Sequence, residues 1–329
     1  MEHREETSLI TKTVVITGAS SGVGLATAEL FAKKGFNIVL AARGIEGLEK
    51  AANDCIALGG NVVYKSTDMS LSKEVEDLVR YSLSQFGRID IWVNNAGVMA
   101  SGKFEEIPMD INEQVIKTNL MGYMHGAYYV LPVFKEQNQG ILINNVSIGG
   151  YMPAPFSSVY SATKTGIKGL MSGLQSEYSV YPAIHICNIY PQIQRSTGNM
   201  HSAKYSGLDF KIPPFAADPN DTAKVIYNLT IKPKNDTFPD ASSYLIKFIH
   251  GIFPQTFTNL ATAVMRLMMK FSNGKDNEGN ILYASSDPHQ IYGETSIPVP
   301  SKSTQRIVSL GILIGLGLYT TTRIRRKYK

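Results

Sequence analysis

Short apolar runs rich in β-branched residues recur along the first two-thirds of the chain, each followed by a stretch with helical periodicity. Thr13–Thr17 (TVVIT), Ile38–Ala41, Val62–Tyr64, Ile89–Val93, Ile141–Val146 and Ile184–Ile189 are apolar almost throughout, not at alternate positions. A strand that is apolar on both faces belongs to a parallel sheet covered on both sides. The intervening segments, roughly 23–34, 45–58, 71–86, 109–137 and 158–180, carry apolar residues at helical spacing. Strict strand–helix alternation predicts an α/β fold, a doubly wound parallel sheet with helices on both faces and right-handed crossovers.

After the sixth run the character changes. Residues 191–217 are polar and contain proline, and a helix is expected over 219–231. Residues 243–271 are rich in Phe, Ile, Leu and Met and read as one helical stretch. The division expected from these shifts is a catalytic domain over 1–240, a helical extension or substrate lid over 241–292, a linker over 293–306, an apolar tail helix over 307–322 and a basic tail over 323–329.

The net charge is +5, and Arg323, Arg325, Arg326, Lys327 and Lys329 carry the whole excess. The remainder is close to neutral, so a nucleic-acid-binding surface is not expected. Cys55 and Cys187 are too few and too far apart for a disulfide framework or a zinc site. The six histidines show no ligand spacing, and no metal is expected.

The first strand runs directly into Thr17-Gly18-Ala19-Ser20-Ser21-Gly22-Val23-Gly24. Glycines at a strand–helix turn let the backbone bend sharply and approach a pyrophosphate, while the helix N-terminus offers N–H donors. Asn95, Ala96 and Gly97 follow the fourth strand, Asn119 lies in the next helical stretch, Ser147 ends the fifth strand, and Tyr160 and Lys164 stand four apart. With its G-x-x-x-G-x-G spacing, this series resembles the short-chain dehydrogenase/reductase family over about residues 10–230.

The resemblance implies a Rossmann fold that binds a nicotinamide dinucleotide. It implies catalysis by Asn119, Ser147, Tyr160 and Lys164, and cofactor contacts from Gly18, Ser20, Ser21, Gly22, Val23, Gly24, Asn95, Ala96 and Gly97 together with Tyr160 and Lys164. Asp68 is expected against the adenine, or as a helix cap. Where the family has Pro-Gly and a following threonine, this chain has Pro191-Gln192-Ile193-Gln194-Arg195-Ser196-Thr197. Ile193 and Thr197 are the expected nicotinamide contacts, with Ser196 an alternative to Thr197, and Gln192 puts the local backbone path in question.

The end of the second strand sets the cofactor. A carboxylate there would hold a ribose 2′-hydroxyl; this chain has Ala42 and Arg43, which favours the 2′-phosphate of NADP(H). A phenol can pass a proton to or from a substrate oxygen, but its ordinary pKa near ~10 calls for a neighbouring cation. Tyr160 and Lys164 fall on one helix face, so Lys164 is expected to make the phenol more acidic.

The expected activity is interconversion of an alcohol and a carbonyl with NADP(H). Tyr151, Met152, Phe156, Phe210, Phe215 and Phe253 suggest a lipophilic substrate such as a steroid, retinoid or fatty aldehyde. The alternative is a catalytically silent, cofactor-binding regulator or scaffold. Family resemblance implies a homo-oligomer built through the helices near 109–137 and 158–180. The uncharged run 307–322, about 24 Å long as a helix at ~1.5 Å per residue, lies beside the basic end. It predicts membrane attachment, with the catalytic domain in the cytoplasm.

Overall fold

The computed structural model describes residues 11–208, 212–213, 215–272, 274–286, 289–295 and 304. The main sheet contains β1 (Thr13–Thr17), β2 (Asn37–Ala42), β3 (Asn61–Ser66), β4 (Ile91–Asn94), β6 (Gly140–Asn145), β7 (Ile184–Ile189) and β9 (Asp236–Thr237), all parallel, in the order β3-β2-β1-β4-β6-β7-β9. The order reverses between β1 and β4, which opens a crevice at their C-terminal ends. Two short strands, β5 (Ala100–Ser101) and β8 (Ala203–Lys204), pair separately and tie the loop after β4 to the loop after β7.

Successive residues of each strand feed opposite cores. Val14, Ile16, Ile38, Leu40, Ile91 and Val93 pack under α1 (Gly22–Ala32), α2 (Ile45–Ala57) and α7 (Pro219–Leu229). Val15, Val39, Trp92 and Leu142 pack under α3 (Ser72–Phe86), α5 (Gly122–Gln137) and α6 (Ser158–Glu177). This two-sided burial is the reason the strand sequences are continuously apolar.

The expected helix over 109–137 is α4 (Met109–Ile116) and α5 joined without a break by a wider turn over Lys117–Met121. Such a π-type turn inserts one extra residue into the helix and recurs at functional sites. The stretch 243–271 is two helices, not one: α8 (Ala241–Ile252) and α9 (Pro254–Phe271). Phe253 leaves the helical region because Pro254 follows it. Much of the apolar surface of this stretch is exposed, including Tyr244, Phe248, Ile252, Leu260, Val264 and Leu267.

The expectation of membrane attachment is overturned. Among the described residues no helix is long and apolar enough to cross a membrane. The segment 307–322 that motivated it, like Phe210, lies outside the described residues. Cys55 and Cys187 are buried thiols, which burial pushes up to about 12 and about 11.

Candidate active site

β1 ends on Thr17, and the chain turns back at Gly18 (φ +64°) and Gly22 (φ +56°) before α1 begins. A side chain at Gly18 would stand 2.8 Å from the Ala96 Cα, and one at Gly24 would stand 2.0 Å from the Gly18 carbonyl. Glycine is therefore required where α1 and the β4 loop close on the turn. Asn95 locks this closure: its Nδ2 donates to the carbonyls of Thr17 (2.9 Å) and Gly18 (3.2 Å), and its Oδ1 accepts from Asn145 Nδ2 (2.8 Å). Ser20 and Ser21 are half-buried at the mouth of the turn, and Val23 is buried at the head of α1.

Ser147 follows β6 with φ +116° and ψ 152°, a region that only glycine adopts without strain. Its Oγ accepts from the Gly149 N–H (3.1 Å), and its hydroxyl acts to lower the pKa of the Tyr160 phenol. Gly149 makes room for the pair, since a Cβ there would lie 3.3 Å from Tyr160 Cε1. One turn along α6, the Lys164 side chain runs inward. Its Nζ lies 3.5 Å from the Asn145 carbonyl, 5.0 Å from the Tyr123 ring centre and 5.5 Å from that of Tyr160.

Asn119 sits in the π-type turn, fully buried. It bonds Val98 twice and Thr163 Oγ1 once, and its Oδ1 would lie 3.3 Å from a Cβ at Gly97. The four expected catalytic residues therefore surround the crevice at the topological switch. Tyr123, which the sequence reading missed, closes its floor by donating from its hydroxyl to the Asn145 carbonyl (2.6 Å).

The electrostatics correct one expectation. Burial pushes the Lys164 ammonium down to about 7. Burial also raises the Tyr160 phenol above its ordinary value, with only the Ser147 hydroxyl acting against it. Desolvation is the largest influence on Tyr160 and sets its direction, opposite to the one expected from a neighbouring cation.

The cofactor side is mixed. Thr197 is buried and its Oγ1 would lie 3.6 Å from a Cβ at Gly22, with Ser196 Cβ at 3.2 Å. Ile193 is exposed, its carbonyl accepts from Ala217, and among the described residues no contact joins it to the glycine turn. Gln192 disturbs nothing locally, because its N–H donates to Ser243 Oγ (3.0 Å) at the start of α8. Asp68 Oδ1 accepts from the Ser70 N–H (2.9 Å) in the turn leading to α3, and its charge also acts on Arg43. Arg43 stands at the end of β2, but its guanidinium donates to the carbonyls of Asn280, Ile281 and Tyr283.

Of the expected lining, Tyr151 stacks edge-on to Tyr190 beside the Ser147 turn, and Phe215 and Phe253 are exposed. A separate open cleft of about 1170 Å³ lies between the 102–105 loop, residues 153–165 and α9, with Phe104 and Phe156 among its walls.

A parallel sheet with a glycine turn at its switch point and a Ser–Tyr–Lys set beside it, its lysine buried, defines an oxidoreductase of Rossmann type. Residues 12–205 match the short chain dehydrogenase family, and the chain belongs to that family. An uncharacterized oxidoreductase of Staphylococcus aureus (strain USA300) is 33% identical over 229 residues, 70% of this chain and 95% of that protein. The solved alcohol dehydrogenase of the archaeon Thermococcus sibiricus, complexed with 5-hydroxy-NADP, superposes with a TM-score of 0.61 at 25% identity, covering 69% of this chain and 95% of its own. A short chain dehydrogenase/reductase from Burkholderia phymatum, in complex with NAD, shares the fold with a TM-score of 0.66 at 23% identity, over 75% of this chain and 95% of its own.

Proposed function

We propose that this oxidoreductase interconverts an alcohol and a carbonyl with NADP(H), using Tyr160 as general acid and base. The observation that carries the reading is the gathering of Ser147 Oγ and the Tyr160 ring against Gly149, with Lys164 a turn away and the glycine turn alongside. The glycine cradle fits a dinucleotide: Gly18 and Gly22 have the backbone that a close approach of pyrophosphate needs, and α1 presents its N-terminus there. When bound, the nicotinamide supplies or accepts the hydride.

The chain's own residues handle the proton and the geometry. The Ser147 hydroxyl donates to the substrate oxygen and holds it beside Tyr160. In reduction Tyr160 gives its proton to that oxygen, and its raised pKa keeps the phenol protonated across neutral pH. Lys164, a turn away from Tyr160, binds at the ribose side, and a positive charge on it favours the phenolate once it forms. Asn119 fixes the Val98 loop against α6 through its contact with Thr163.

NADP(H) is favoured because β2 ends at Ala42 and Arg43 follows it, with a carboxylate at neither position. A lipophilic substrate is favoured by Tyr151, half-buried beside the Ser147 turn. Self-association is favoured by Met109, Ile116, Met121, Met124 and Tyr128, all exposed along the α4–α5 helix. The test is a panel of lipophilic alcohols and ketones assayed with NADPH and NADH side by side. Turnover with NADPH supports the reading. A clear preference for NADH removes the Arg43 argument, and dinucleotide binding without turnover on any substrate removes the catalytic one.

A further inference from the structure

The segment after α9 returns across the sheet and follows the crevice. At one end Arg43 Nη1 donates to the Ile281 carbonyl (2.9 Å) and Nη2 to those of Tyr283 (3.0 Å) and Asn280. Ala284 Cβ then lies 3.3 Å from where a Gly44 side chain would begin, and the His289 ring fills the place of a side chain at Gly47. Lys50 Nζ donates to the His289 carbonyl (3.0 Å). At the far end the Gln290 carbonyl accepts two hydrogen bonds, from the Gly22 N–H (3.0 Å) and from Thr197 Oγ1 (3.0 Å). Tyr292 fastens the end, with the Arg195 guanidinium 4.8 Å over its ring and its hydroxyl bonded to Asn220 Nδ2 (2.7 Å) and Asp218 Oδ1 (3.2 Å).

This path joins the end of the second strand to the N-terminus of the first helix. On a turn of this kind, the ADP half of a dinucleotide takes the same path. We propose that residues 280–286 and 289–292 form a strap that holds the dinucleotide site shut. The Gln290 carbonyl stands in for a pyrophosphate oxygen, and the carbonyls on Arg43 stand in for a 2′-phosphate. The inference rests on the dinucleotide reading of the crevice.

The physical basis is donor competition. The first N–H groups of a helix have no partner within it, and anions seek them. The Gly22 N–H cannot serve a carbonyl and a phosphate at full strength together. Phosphate oxygens form charge-assisted bonds, stronger than those to a neutral carbonyl, so the dinucleotide displaces the strap. A 2′-phosphate competes for Arg43 as well, whereas a plain 2′-hydroxyl offers that guanidinium nothing comparable. Release of the strap is therefore more complete with NADPH than with NADH.

The test is amide hydrogen exchange on the full chain, alone and with saturating NADPH or NADH, together with binding titrations of the wild type and Tyr292→Ala. The strap is expected to exchange faster with NADPH than in the unliganded chain, and less so with NADH. Slower or unchanged exchange with NADPH overturns the proposal, because the strap would then lie over the bound cofactor or be indifferent to it. Loosening the strap by Tyr292→Ala is expected to tighten apparent NADPH binding about threefold to tenfold, as removal of a closed population requires. Equal or weaker binding overturns it while leaving the function standing. If neither chain binds either dinucleotide, the function falls, and the strap proposal with it.

Discussion

The Asn119 carboxamide and the Val98 main chain exchange two hydrogen bonds, Val98 N–H to Oδ1 at 2.8 Å and Nδ2 to the Val98 carbonyl at 2.9 Å. The side chain acts as a piece of neighbouring strand, pinning the loop that follows Gly97 against the π-type turn. Asn119→Leu leaves both Val98 groups buried without partners, each worth about 1–3 kcal/mol. Its urea midpoint should fall clearly below that of the wild type. Asn119→Asp, which still accepts the Val98 N–H, should fall less; equal losses would show that packing, not pairing, is what Asn119 supplies.

Tyr160→Phe removes the proton carrier and little else. Turnover should drop by roughly 10²–10⁴-fold, the usual worth of a positioned acid or base. Dinucleotide affinity and melting temperature should stay close to those of the wild type. Undiminished turnover would take the proton-transfer role away from Tyr160.

Ser147 holds a backbone conformation that costs a non-glycine residue about 1–3 kcal/mol. Ser147→Gly relieves it, so the variant should unfold at higher urea than the wild type while losing turnover. The stability gain is the distinctive outcome, and a destabilised variant would show that the contacts of the Ser147 side chain outweigh the strain.

Lys164 sets a pH dependence of stability. The unfolded chain holds this proton up to the ordinary value of 10.5, and the folded chain releases it at about 7. The unfolded state thus binds more protons between those values, so stability from this group rises as pH climbs from about 7 toward 10.5 and is lost as pH falls through the same window. Unfolding midpoints of the wild type and Lys164→Met, compared at the two ends of the window, should diverge toward lower pH, with the variant the more stable. Parallel curves would show that Lys164 is solvated in the folded chain.

A ladder of buried amides crosses the middle of the sheet. Trp92 Nε1 donates to Asn94 Oδ1 (2.8 Å), Asn94 Nδ2 to Asn144 Oδ1 (3.0 Å), and Asn144 Nδ2 to Asn188 Oδ1 (3.2 Å). Asn144→Leu breaks it at the centre and strands two partners, at about 1–3 kcal/mol each. A midpoint shift no larger than that of a surface substitution would show the ladder to be dispensable.

Much of this was legible in the chain. The strands β1–β4, β6 and β7 and the helices α1–α7 fall in the expected stretches, with α4 and α5 read as one, because covalent spacing decides which residues share a face, while the short β5, β8 and β9 went unread. The glycine turn, Asn95, Asn119, Ser147, Tyr160 and Lys164 were found through the family resemblance that their order and spacing carry, and the fold gathers them around one crevice. The tail reading failed as a guide to localisation, and among the described residues no helix is long and apolar enough to cross a membrane. The break before Pro254 was missed because the apolar pattern runs through it, and the exposure of Phe248 and Leu267 because periodicity does not say what a face meets.

The sequence by itself determined the sheet, its order of connection and the residues set around its switch point, since those follow from which side chains must leave water and which turns need glycine. Tertiary structure alone decided the protonation of Tyr160 and Lys164, because desolvation depends on what surrounds a group from all sides. It alone also decided the fate of Arg43 and Gly22, whose donors are taken by carbonyls more than 200 residues away along the chain. No local pattern announces such a bond, because any main-chain carbonyl brought to that place would serve.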